Sequence, residues 1–407
     1  MSRIEATSEL ETALKKEPTN PIVRISQRAA ARLRQGHVWV YRSDVVGEPT
    51  LAPGSLVSVS DERKNLIGTA FWSTSSQIAL RMISTGAVTN LSELVRERVR
   101  IAVALRKTWV EDSDSYRLVF SEADLLPGVI ADKYNDIVAV QFLTQGTDQE
   151  RFRTAFLETI VEEVKPASVV ERVEERIREL EQLSTKPSGL ISGTKTQTQI
   201  SVNGVRFHFD ALVGQKTGAF LDQRENYAAA AKYAHGAAMD VFTYQGGFAL
   251  HLAKACESVV GVDASREALE AAEKNEKLNT LERPIEWLEA NAFELLKDWS
   301  SEGKQFDTIV LDPPAFAKTK KDVPTALRGY KEINLRALKM LRPGGVLVTC
   351  SCSHHVSEPE FVEMLRSAAG DVRRTVRVLE KRAQAKDHPV LLSVPETAYL
   401  KCVFLQV

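Results

Sequence analysis

Asp240-Val-Phe-Thr-Tyr-Gln-Gly-Gly-Phe248 reads as the junction of a strand and a helix. It continues the apolar run Ala237-Ala-Met-Asp-Val-Phe-Thr243 and leads into Ala249-Leu-His-Leu-Ala-Lys-Ala-Cys-Glu257, which has helical spacing. A strand that enters a helix through two adjacent glycines lets the backbone approach a ligand closely and presents amides at the helix start. The loop lacks G-x-G-x-x-G spacing, which disfavours the pyrophosphate of a dinucleotide.

Outward from this loop the same rhythm recurs. Ser258–Asp263, Ile285–Asn291, Phe306–Pro314 and Gly344–Cys352 read as strands, and Ser265–Asn279, Ala292–Ser300 and Ala326–Leu341 as the helices between them. Alternation over about 130 residues predicts an α/β fold, a doubly wound, Rossmann-like parallel sheet with ligands at the carboxyl ends of its strands. Each strand tip carries a group suited to that task. Asp263 lies about 20 residues past the glycines, where an acid accepts ribose hydroxyls. Asn291, next to Ala292, offers a carbonyl to an adenine amino group, and Pro313-Pro314 fix the chain behind Asp312 as it leaves the sheet. With Phe242, Tyr244, Gly246 and Gly247 of the loop, these tips point to an adenosine-containing ligand.

The 407 residues suggest two or three domains. Residues 1–21 read as a frayed polar tail with a helical turn or two. Residues 22–88 form short segments of period-two alternation, a small β-barrel unit without helices, and 89–114 a connecting helix. Residues 115–198 make a small α+β middle domain with turns at Pro127-Gly128 and Asn135-Asp136, and 199–407 the doubly wound domain, opened by an Asn203-Gly204 hairpin. No run approaches the roughly 20 apolar residues of a membrane span. The N-terminus lacks the apolar stretch of a signal peptide, and Cys256, Cys350, Cys352 and Cys402 are too few for a disulfide scaffold. A reducing, cytoplasmic location is expected. His354, His355 and the cysteines lack metal-ligand spacing, so no metal is expected.

The formal net charge of −1 hides an uneven distribution. About thirteen Lys/Arg face about six Asp/Glu between Pro21 and Val110, which leaves the rest acidic. In the basic section Arg24, Arg28, Arg32, Arg34 and Arg42 surround Trp39 and Tyr41. Arginine forks suit phosphates and aromatics stack unpaired bases, so Arg32, Arg34, Trp39 and Arg42 are candidate RNA contacts. The competing reading makes the aromatics barrel core and the arginines a solvated face.

The order of strand, glycine loop, Asp263, Asn291 and Asp312-Pro-Pro resembles the class I S-adenosylmethionine-dependent methyltransferases. Further matches resemble one family, the PUA-domain ribosomal RNA large-subunit methyltransferases of the cytosine-5 type. They are Arg117-Leu-Val, Glu122-Ala-Asp124, Pro127-Gly128, Asp132-Lys-Tyr134, and Gly214-Gln215-Lys216-Thr217-Gly218 running into Phe220-Leu-Asp222-Gln223-Arg224-Glu-Asn226. Tyr244-Gln-Gly-Gly-Phe248, Leu311–Phe316, Arg328-Gly329-Tyr330-Lys331, Ile333-Asn334, Pro343-Gly344-Gly345, Ser351-Cys352-Ser353, His388-Pro389 and Pro395-Glu396-Thr397-Ala-Tyr399-Leu-Lys401 complete the set. The resemblance covers residues 22–407. It implies S-adenosylmethionine as cofactor, with Gln223, Arg224 and Asn226 helping to hold it, a PUA-like module for RNA, and large-subunit ribosomal RNA as partner. Asp222 is alternatively a helix cap. Two departures stand out: Asn291 replaces the family's common Asp, and Glu171-Arg172-Val173 keeps only part of a family pattern.

Carbon 5 of cytosine is a poor nucleophile until a thiolate adds to carbon 6, so the implied reaction needs one cysteine beside a carboxylate. Cys352, just past a strand, and Asp312, at the tip of its neighbour, fit those roles. Cys350, within the strand, reads as a buried inert thiol. Ala315 occupies the place of a second cysteine found in many RNA cytosine-5 methyltransferases. Competing functions are N-methylation of guanine or adenine, whose Asn/Asp-Pro-Pro-aromatic motif would need an aromatic at Ala315, and a non-catalytic RNA-binding assembly protein. A small-molecule methyltransferase leaves the basic unit unexplained. A monomer and a homodimer are both compatible with the sequence.

Overall fold

Period-two segments pair early in the chain. In the computed structural model, which describes residues 20–213 and 220–407, β1 (Ile22–Arg24), β2 (Trp39–Tyr41), β3 (Leu56–Ser60), β4 (Leu66–Trp72) and β5 (Ile78–Ser84) form one sheet of order β1-β3-β4-β5-β2. The expectation of a unit without helices is corrected by α1 (Gln27–Arg34). Ser26 caps it by accepting from the Ala29 amide, and Ala29, Ala30 and Leu33 are buried at helical spacing. Only three apolar side chains mark that stripe, too few to stand out in an arginine-rich run. Residues 1–19 of the polar tail, and 214–219 with Gly-Gln-Lys-Thr-Gly, lie outside the described residues.

The connecting helix, α2 (Leu91–Trp109), buries Leu91, Val95, Val99, Ala102 and Val103 at i, i+4 spacing. It packs beside α3 (Glu150–Val164) on a second sheet of order β10-β9-β8-β7-β6. The strands are β6 (Ser115–Phe120), β7 (Val129–Tyr134), β8 (Ile137–Phe142), β9 (Ser168–Glu171) and β10 (Gly189–Ser192), with α4 (Glu175–Leu180) between the last two. β11 (Gln197–Val202) and β12 (Val205–Asp210) then form a hairpin. Asn203 and Gly204 both have positive φ at its tip, as the tightest hairpin turns require.

Seven strands make the last sheet, of order β15-β14-β13-β16-β17-β19-β18. Its elements are α5 (Arg224–Tyr233), β13 (Ala237–Val241), α6 (Gly247–Leu252), β14 (Ser258–Asp263), α7 (Arg266–Lys277), β15 (Glu286–Glu289), α8 (Ala292–Glu302), β16 (Phe306–Leu311), α9 (Val323–Met340), β17 (Leu341–Ser351), α10 (Glu358–Asp371), β18 (Arg377–Arg382) and β19 (Lys401–Gln406). β15 to β17 are parallel, as expected, but β19 pairs antiparallel with β17 and β18 antiparallel with β19. Apolar cores cover both faces, one around Phe248, Leu250 and Phe404, the other around Tyr330, Ile333 and Phe361. Burial on both faces is why the parallel strands read as continuous apolar runs. Strand order reverses between β13 and β16, so a crevice opens at their carboxyl ends. No helix among the described residues is long and apolar enough to cross a membrane.

Candidate active site

The loop after β13 is shaped by an inward-facing carboxylate. Asp240 is fully buried, and its Oδ2 accepts from Thr243 Oγ1 at 2.6 Å and from the Ala249 amide at 2.9 Å. Burial, with the Asp263 charge nearby, pushes its pKa up to about 7. The chain therefore turns tightly, with positive φ at Phe242, Tyr244 and Gly246. Two bulky residues in that region cost of order 1–3 kcal/mol each, a strain that collects at ligand sites. Neither glycine has room for a side chain: a Cβ on Gly246 would lie 2.9 Å from the Trp287 ring, and one on Gly247 2.7 Å from that of Tyr227.

A cavity of about 450 Å³ lies against this loop, within the range of small-ligand sites. Of the residues expected to hold a cofactor, Gln223, Phe242, Tyr244, Gly247, Asp263, Ala292 and Asp312 line it. Asp263 accepts the Tyr244 amide on Oδ2 and the Ser265 amide on Oδ1, both at 2.9 Å, which fixes the carboxylate while leaving lone pairs for a ligand. Four expected residues stand apart from the lining. Gly246 is the residue before α6, at the helix's N-terminal cap. Asn291 is turned to α8, its Oδ1 capping the Phe293 and Glu294 amides, so Ala290 and Ala292 meet the cavity instead. Arg224 is buried against Asp387 at 3.1 Å, and Asn226 donates to the Ala383 carbonyl and to Gln223 Oε1. These last two hold the C-terminal loop and the Gln223 side chain, respectively. Asp222 does not cap α5; it accepts the Tyr399 hydroxyl at 2.6 Å and lines the cavity. Tyr227, Phe207 and Ile200 also line it without having been anticipated. Tyr227 stands one helical turn after Gln223, a legible signal, whereas the hairpin residues carry none.

The second half of the site is Ser351-Cys352-Ser353, where β17 ends. Ser351 and Ser353 are fully buried. Ser353 Oγ accepts the Ala317 amide at 3.1 Å and lies 2.9 Å from the Tyr330 hydroxyl, which joins the turn to the Asp312-Pro-Pro segment and to α9. Between these anchors Cys352 is half-buried and lines the cavity with Asp312, its Sγ 4.0 Å from the Pro313 carbonyl oxygen. Cys350 faces Cys402 across the strands, and burial pushes its thiol well up. Lys401 is almost buried, and its Nζ donates to the Ser353 and Tyr399 carbonyls at 2.7 and 2.9 Å. Burial draws its pKa down to about 8, against the pull of Cys352 and Glu360.

Asp387 fastens the C-terminal loop to the middle of the chain. Its carboxylate accepts the Arg117 amide at 2.8 Å and pairs with Arg224, while its carbonyl accepts from Arg106, itself forked onto Asp124. Despite burial, the charges of His388 and Arg224 hold the carboxyl well below the usual range.

The basic section is less free than its charge implied. Arg42 clamps the Ser73 and Ser76 carbonyls and lies over the Trp72 ring. Trp39 Nε1 donates to Glu122 at 2.9 Å, joining the first sheet to the middle of the chain with Arg81. Arg32 shares Asp44 with Arg28, and Arg34 pairs with Asp61. Arg28 and Arg34 remain exposed, whereas Arg32 is largely covered.

Comparison with known proteins gives concordant results. Residues 23–85 match a PUA-like domain, and residues 188–404 match an S-adenosylmethionine-dependent methyltransferase. The chain is 35% identical over 380 residues to the ribosomal RNA large subunit methyltransferase I of Erwinia tasmaniensis, spanning 91% of this chain and 95% of that one. Its counterpart in Shewanella frigidimarina is 35% identical over 381 residues, with the same coverage. Among solved structures, a methyltransferase complexed with S-adenosylhomocysteine superposes with TM-score 0.82 at 19% identity, and an S-adenosylmethionine-dependent methyltransferase from Streptococcus mutans with 0.80 at 18%. Both cover 95% of this chain and all of the other, a likeness of fold.

Proposed function

Because this chain belongs to the S-adenosylmethionine-dependent methyltransferases, and within them to the ribosomal RNA large subunit methyltransferase I family, we propose that it methylates carbon 5 of a cytosine in large-subunit ribosomal RNA through a covalent adduct at Cys352. The observation that carries this reading is the placing of a half-buried thiol and a strand-tip carboxylate, Cys352 and Asp312, in one cavity with the Phe242–Gly247 loop. The residues present fit the cofactor. The glycine loop and Asp263 suit the ribose, and the Ala290–Ala292 backbone suits the adenine edge. When bound, S-adenosylmethionine supplies an electrophilic methyl group on a sulfonium.

Cys352, as thiolate, forms a bond to ring carbon 6 and pushes electrons onto carbon 5, which can then accept the methyl. Asp312 holds the amino edge of the base, Ser351 and Ser353 keep the sulfur in place, and the sulfur leaves when carbon 5 loses its hydrogen to a base. The first sheet provides the RNA-binding module, where Arg28 and Arg34 are exposed while paired with Asp44 and Asp61, so that a phosphate would share or displace those carboxylates. Cys352→Ala is expected to abolish methylation while S-adenosylmethionine still binds, and RNA containing 5-fluorocytosine to leave a denaturation-resistant adduct. An active Cys352→Ala enzyme refutes the covalent route, and an N-methylated product by nucleoside mass analysis refutes carbon 5.

A further inference from the structure

A buried lysine beside a half-buried cysteine calls for a reason, since burying an ammonium costs free energy unless something nearby uses its charge. Lys401 opens β19 opposite Ser351, so the antiparallel pairing fixes it against the turn that carries Cys352. Two of its three protons go to the Ser353 and Tyr399 carbonyls, one of them on the residue next to the cysteine. Among the described residues no carboxylate forms a direct pair with it. The acid that favours its charge is Glu360, whose carboxylate is already held by the Ser357 amide and hydroxyl at the start of α10. Cys352 is the other group that favours its charge.

We infer that Lys401 is a positioning residue for the reaction proposed above: its ammonium clamps the Ser351-Cys352-Ser353 turn and stabilises the Cys352 thiolate. Asp312 lines the same cavity and repels it, Tyr330 on α9 is kept protonated by burial and by the thiol itself, and burial together with the charges of His355 and Lys401 disfavours protonation of His354. Lys401, held against the Cys352 turn, supplies a cation of the kind that other thiolate sites take from a histidine. The thiol proton departs to solvent before attack, and the thiolate regenerated at the end needs no new proton. Because the Lys401 ammonium itself titrates near pH 8, its help fades above that pH.

The test reads the thiol rather than turnover. Iodoacetamide alkylation of Cys352, followed by peptide mass against pH in the full-length protein, should show a midpoint below the ordinary cysteine value of about 8.5. Lys401→Met should raise that midpoint by about one unit and slow alkylation at pH 7 about tenfold, and Lys401→Arg should retain most of the wild-type rate. A wild-type midpoint at or above the ordinary value overturns the inference even if Lys401→Met does not fold. So does an unshifted midpoint in Lys401→Met, or an Arg variant as slow as the Met one. The inference rests on Cys352 as nucleophile, yet the two fail separately: an active Cys352→Ala enzyme removes that role and leaves the alkylation shift standing.

Discussion

Ser353→Ala tests whether the serines flanking the thiol hold it for reaction. The hydroxyl is fully buried, accepts the Ala317 amide at 3.1 Å and contacts the Tyr330 hydroxyl at 2.9 Å. Alanine leaves the amide without a partner, and a buried unsatisfied group costs about 1–3 kcal/mol. The phenol loses one partner but keeps Ser351 within reach, so its share is near the lower end. Together these give about 2–4 kcal/mol of lost stability, measurable by urea unfolding as a lower midpoint at unchanged slope. Tyr330→Phe should cost about 1 kcal/mol, and the double variant less than the sum of the two, since no phenol is then stranded. Under conditions where the variant is folded, turnover should fall about 10- to 100-fold with S-adenosylmethionine affinity unchanged, because a displacement of about 1 Å of a reacting group has that effect. A Ser353→Ala protein within about 0.5 kcal/mol of wild type, or one with full turnover, refutes the anchoring.

Arg224→Met breaks a fully buried pair with Asp387 and should cost about 3 kcal/mol in urea unfolding, with the S-adenosylmethionine Kd changed less than threefold by calorimetry; a tenfold change restores a direct contact. Asp240 binds its proton more tightly when folded, up to about pH 7 against an ordinary 3.8. Its contribution to stability is therefore full below about pH 4 and lost as pH rises through 7, and Asp240→Asn should flatten that part of a stability–pH curve. Asp387, held low, acts in the opposite sense and only below about pH 4, so the two effects separate on one titration. Arg42→Ala should lower stability by about 2 kcal/mol through its lost carbonyl bonds while the salt dependence of RNA binding stays the same; a slope smaller by about one would make Arg42 a phosphate contact.

The doubly wound sheet is legible because its inner parallel strands, β13, β14 and β16, are largely buried and its helices carry a strong 3.6-residue period. Asp263, Gly247, Asp312 and Cys352 were legible because strand order alone brings the carboxyl ends of β13, β14, β16 and β17 to one crevice. Helix α1 was missed because its buried stripe is three residues long. The antiparallel edge was missed because the polar Arg377–Arg382 strand has no apolar pattern to announce it. Asn291 and Arg224 show another limit: residue type states which bonds a side chain can make, and either a ligand or the fold can supply the partner. Here a helix start takes the Asn291 carbonyl and Asp387 takes the Arg224 guanidinium.

The class of fold, the family and the short set of groups capable of the chemistry are all readable along the chain, because periodicity, glycine spacing and strand-tip residues are properties of sequence neighbours. The folded chain settled which polar groups the fold itself claims, as with Asn291 and Arg224, and which distant ones join the site. Lys401 lies 49 residues from Cys352, and Asp387 more than 250 from Arg117. Such encounters depend on how the antiparallel edge strand and the C-terminal loop return to the sheet and on buried charges finding partners, and neither leaves a local trace. The basic section shows the same division, since its charge was visible at once but the carboxylates and carbonyls that claim much of it became apparent only in the folded chain.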